Sequence, residues 1–114
     1  MKSTRVLCVL AMAAVAPLCQ ANDFPTADRV EFVMECMRDH TGGQFELLSK
    51  CSCTIDRLAE QYKYDEYVEA QTMSKAVTVA GERGSTLRDN EDAQKAARRY
   101  RASVIDAGRA CFLR

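Results

Sequence analysis

The chain has 114 residues, with 16 basic and 16 acidic side chains, one His, no Trp and six Cys. That length admits one domain at most, and a formal charge of zero removes the basic surplus expected of a nucleic-acid footprint. Two Pro and five Gly exclude collagen-like and low-complexity chains, leaving the cysteine count as the outlying feature.

Residues 1–21 read as a secretory signal peptide. Lys2 and Arg5 form a positive start, Val6 to Leu18 form an uncharged apolar stretch, and Cys19-Gln20-Ala21 supplies a cleavage site before Asn22. The apolar run is too short to cross a bilayer, so no membrane span is expected after cleavage. A lipid-acceptor role for Cys19 fits poorly because bulky Leu18 precedes it. Cleavage removes Cys8 and Cys19 and leaves residues 22–114 as a single helical domain with Cys36, Cys51, Cys53 and Cys111. An even cysteine number in a small exported chain predicts a disulfide framework in the periplasm or outside the cell. The remaining chain carries a net charge of −2 and is polarised: residues 22–80 hold six basic and eleven acidic groups, residues 81–114 eight basic and five acidic.

Four helices are expected in chain order. After Pro25, Thr26 is a candidate N-cap, and Val30, Val33, Met34 and Met37 recur at helical spacing until Gly42-Gly43. A second helix starts near Gln44 with Leu48, Cys51, Ile55, Leu58 and Tyr62 on its apolar face. A third opens at Asp65 and carries Tyr67, Ala70, Met73, Val77 and Ala80 towards Gly81 and Gly84. The fourth follows Asp89-Asn90, with Glu91 and Asp92 in the first turn, where the helix dipole favours anions. Its packing stripe is Ala93, Ala97, Tyr100, Val104, Ala107 and Cys111. Strand signals are confined to a residue or two around Val77 to Val79. The expected architecture is an all-α four-helix bundle stapled by two disulfides. So small a core is marginal alone.

Cys51 and Cys53 project about 200° apart on a helix and cannot bridge each other there. Each should therefore join a different neighbour: Cys36–Cys51 with Cys53–Cys111, or Cys36–Cys53 with Cys51–Cys111. Cys51 shares the Leu48/Ile55 face and Cys111 the Tyr100/Val104 stripe, which favours the second pairing.

Sharper chemistry competes with this structural role. A Cys-x-Cys pair could serve thiol–disulfide exchange, although such enzymes usually place Cys-x-x-Cys at a helix start. Cys36, Met37 and His40 lie within helical reach of one another and, with Cys51/Cys53, would suit Cu(I). Met34 and Met37 nevertheless fit a packing stripe, and His40 near a helix C-terminus is favourable without a metal. The carboxylates Glu31, Glu35 and Asp39, and likewise Asp65, Glu66 and Glu69, fit solvated faces. No nucleophile elbow, metalloprotease pair, phosphate loop or calcium loop is present in the sequence. The expectation is a protein with no catalytic residue, metal or cofactor. Lys95, Arg98, Arg99 and Arg101 form the candidate partner-binding face, which could steer association with an acidic protein.

At Cys51-Ser52-Cys53-Thr54-Ile55-Asp56 and Tyr64-Asp65-Glu66-Tyr67, the chain resembles small uncharacterised exported bacterial helical proteins with a Cys…Cys-x-Cys…Cys pattern, over about residues 30 to 112. Exported helical proteins of this general kind include accessory and immunity proteins. By analogy the resemblance adds weight to a protein-binding role, while export and the small net negative charge make nucleic acid a poor partner. A periplasmic thiol–disulfide or copper-handling factor is the alternative.

Overall fold

A computed structural model describes residues 22–114; the expected signal peptide lies outside the described residues. The described chain is all helical: α1 (Thr26–Asp39), α2 (Gln44–Gln61), α3 (Tyr64–Ala76), α4 (Glu82–Arg88) and α5 (Glu91–Ala110). Four of these correspond to the expected helices, and α4 is additional. No strand occurs among the described residues, and the Val77 to Val79 region forms a turn.

Local chemistry sets the helix ends. The chain enters α1 through Pro25, whose φ of −57° suits a helix start, so Thr26 is the first helical residue and not the cap. At the other end, His40 Nδ1 donates to the Cys36 carbonyl at 2.8 Å. A carbonyl only accepts, so this contact places the proton on Nδ1 and satisfies a terminal helix acceptor. Helix α3 begins at Tyr64, one residue before expected. The Glu66 carboxylate accepts from the Lys63 N–H at 3.2 Å, and Asp23 accepts from the Tyr64 N–H at 3.0 Å. Helix α5 has the expected cap: Asn90 Oδ1 accepts from the Ala93 N–H at 3.0 Å.

Helix α2 packs against α1, α3 and α5, while α5 also receives α3 and α4. The main core joins Phe24, Phe32, Cys36, Cys51, Ile55, Leu58, Tyr67, Tyr100 and Ala107. Val77, Ala93 and Ala97 form a second cluster, where small α5 side chains permit close approach. Phe24 anchors the segment before α1, with its ring centroid 5.5 Å from that of Tyr64 and 4.8 Å from that of Tyr67.

The disulfide pairing corrects the favoured expectation. Cys36 joins Cys51 with Cα atoms 5.9 Å apart, and Cys53 joins Cys111 at 5.8 Å. Both Cys51 and Cys111 are buried, as the sequence argument required, but Cys36 is buried too. Which flank of α2 each neighbour occupies decides the pairing: α1 lies on the Cys51 side and the end of α5 on the Cys53 side.

Candidate functional site

The α1 stripe expected in the core is split: Val33 and Met37 pack half-buried against it, whereas Val30 and Met34 face outwards. Phe32 and Cys36 are the buried residues of α1, whereas Val30 is 52% and Met34 67% exposed. Val30 and Cys36 are six residues apart, which turns them about 120° from each other around the helix. Burying Cys36 against Cys51 therefore rotates Val30 and Met34 away from the core. On α2 the buried set is Leu47, Cys51, Thr54, Ile55 and Leu58, and Leu48 remains 45% exposed.

These displaced residues build an apolar groove of about 330 Å³ between α1 and α2. Val33, Met37 and Ile55 contribute the half-buried and buried part of its lining, with Val30, Met34 and Leu48 at its margins. Phe45, 86% exposed, stands three residues before Leu48 and so on the same side of α2. An Arg29–Asp56 ion pair ties the two helices at one end, and Cys36–Cys51 ties them further along. The groove walls are thus joined by one covalent bridge and one ion pair. A contiguous exposed apolar strip on a fixed helical hairpin is the kind of surface that proteins bury against other proteins.

The second candidate is the basic face. Lys95, Arg98, Arg99 and Arg101 are all exposed on α5. Lys95, Arg98 and Arg99 fall within about 100° of helix circumference, and Arg101 projects about 120° from Lys95. Arg101 turns to α3, where Nε donates to Ser74 Oγ and Nη2 to the Ser74 carbonyl, each at 3.3 Å. The structure therefore brings three of the four predicted residues together. Several other cations are paired: Arg29 with Asp56, Lys50 with Glu46, Arg57 with Glu60 and Lys75 with Glu35. Among the described residues no ion pair engages Lys95, Arg98 or Arg99.

The remaining predicted groups separate. Cys51 and Cys53 are consumed by bridges to two different helices. His40 is turned onto the α1 backbone, Cys36 is bonded to Cys51, and Met37 packs half-buried against the core. No set of three or more His, Cys, Asp and Glu side chains converges as a metal-ligand group among the described residues. In the two carboxylate series, Glu35 pairs with Lys75 at 3.6 Å and Glu66 caps α3. No described helix is long and apolar enough to cross a membrane.

The apolar strip escaped sequence reasoning because its residues have the spacing of a core face. The signal that could have found it is Phe32 with Cys36, an i,i+4 pair that competes for the interior on a different side of the same helix. The chain matches no protein-family model, no curated protein and no solved structure.

Proposed function

We propose that this is an exported accessory protein of the immunity type, which acts by binding another protein and performs no catalysis. The unpaired basic face of α5 carries the reading. Lys95, Arg98 and Arg99 are exposed within two turns and, among the described residues, form no ion pair, so their charge is open to an acidic surface even though Asp89, Glu91 and Asp92 line the same hollow as Lys95 and Arg98. The cross-helix disulfides fit an oxidising, non-cytoplasmic compartment, and periplasmic or secreted residence is part of the proposal. So is the relation to small exported helical proteins with the Cys…Cys-x-Cys…Cys pattern. The thiol-exchange or copper-handling alternative has less support, because both members of its Cys-x-Cys pair are bonded elsewhere.

Immobilised protein should capture an acidic exported partner from a periplasmic extract, with binding that weakens as salt rises. Cross-linking should map the contact to α5. Lys95→Glu, Arg98→Glu and Arg99→Glu together should lower capture at least about tenfold, since like charges would then face each other. Unchanged capture by the triple variant removes α5 as the contact surface.

A further inference from the structure

The apolar strip on α1 carries a charge pattern that matches itself. Glu31, Met34 and Arg38 recur at i, i+3 and i+7, which puts them along one edge of the helix beside Val30. All four are exposed. Glu31 lies about 4.5 Å before Met34 along the axis and Arg38 about 6 Å after it. A helix running antiparallel across Met34 would meet Glu31 with a cation and Arg38 with an anion. A second α1 supplies both.

We infer that the α1–α2 strip is a homodimer interface, in which two copies pack their α1 helices antiparallel about a two-fold axis beside Met34, with Glu31 of each copy opposite Arg38 of the other. A two-fold contact must be self-complementary, and the near-equal spacing of opposite charges about one apolar residue meets that requirement. Among the described residues Arg38 has one ion pair, with its neighbour Asp39 at 3.5 Å, and both side chains are largely exposed. That local pair leaves the guanidinium free to turn to a second copy.

Burial gives the contact its driving force. Val30, Met34, Leu48 and Phe45 together expose apolar surface on the order of 400 Å² per copy, the size of the largest patch on a typical monomer, which is often functional. A standard interface buries about 800 Å² per partner, so the dimer should be weak and concentration-dependent, strengthened by the groove lining and the two charge pairs. The proposal is independent of the α5 reading. If both hold, the dimer presents two basic faces and binds a multivalent acidic partner with avidity.

Sedimentation velocity on the native, disulfide-bonded protein from about 5 to 500 μM should show a reversible monomer–dimer equilibrium. Met34→Glu should abolish it. Glu31→Lys and Arg38→Glu should each weaken self-association about tenfold by placing like charges opposite at both ends. The doubly exchanged Glu31→Lys/Arg38→Glu chain should recover wild-type dimerisation.

Mixing the two single variants provides the sharpest arm. A Glu31→Lys copy facing an Arg38→Glu copy restores attraction at both positions, so the mixture should dimerise more tightly than either variant alone. Far-UV circular dichroism verifies the fold of each variant, and these exposed charge substitutions remove no buried contact. A chain that stays monomeric at 500 μM overturns the proposal. So does a dimer that persists in Met34→Glu, or a mixture no tighter than its components, because self-association would then use another face or geometry.

Discussion

Cys51 and Cys53 face opposite flanks of one helix, and that separation lets a single element anchor two others. Their mutual exclusion follows from helical geometry and is legible in the sequence; the choice of partners is not. It depends on where α1 and α5 settle against α2, a tertiary property that inward-facing periodicity alone does not encode. The tyrosines show a second residue-scale consequence. Burial is the largest cause pushing the phenol pKa of both Tyr67 and Tyr100 upwards; at Tyr100 hydrogen bonds with Tyr67 and Gln71 oppose the shift without reversing it. The folded state therefore favours neutral phenols. Stability from this source is complete below the unfolded-state value near pH 10 and is lost as pH rises above it. Phenolate absorbance of the native protein should lag behind that of the urea-unfolded chain on alkaline titration, and unfolding should accompany its late phase. Tyr100→Phe should remove part of the lag; coincident native and unfolded titration curves would contradict the buried state of these hydroxyls.

At the scale of elements, helix existence was more legible than helix orientation. The α5 stripe of Ala93, Ala97, Tyr100, Ala107 and Cys111 is buried as its period requires, and Asn90 caps it. Helix α1 has the right length but is rotated about its axis: Phe32 and Cys36 take the centre of the inward face, Val33 and Met37 stay at its edge, and Val30 and Met34 turn out. Helix α4 escaped the pattern for another reason: seven residues between Gly81 and Asp89 are too few to establish a period. Its position depends on close backbone approach. A Cβ on Gly84 would overlap the Val79 carbonyl oxygen, which also accepts from Arg88 Nη1 at 2.6 Å. Gly84→Ala should consequently destabilise the protein by about 1–3 kcal/mol, despite alanine's higher helix propensity. Asn90→Ala should cost about 1 kcal/mol through the lost cap. Urea unfolding measures both, and hydrogen exchange should place the Gly84→Ala effect in α4; a stabilised Gly84→Ala variant would show that this approach is not a constraint.

Across the whole molecule, the two bridges close loops of different length around the same helix. Cys36–Cys51 spans 15 residues and Cys53–Cys111 spans 58. If restriction of the unfolded chain governs their effect, they contribute about 3 and about 4 kcal/mol respectively. A 1 kcal/mol loss corresponds to roughly 4–8 °C in a domain of this size, so removing either bridge should lower Tm by more than about 10 °C. The paired variant Cys53→Ser/Cys111→Ser should melt below Cys36→Ser/Cys51→Ser when both are followed by circular dichroism without reductant. Their functional effects should diverge in the opposite sense. Cys36–Cys51 joins the two helices that form the apolar groove, so its loss should weaken self-association at temperatures where the chain remains folded. Cys53–Cys111 anchors the far end of α5 and should leave that association largely intact under the same conditions. Equal melting points would remove loop length as the controlling factor, while equal loss of dimerisation would show that the α1–α2 hairpin does not act as an independent binding element.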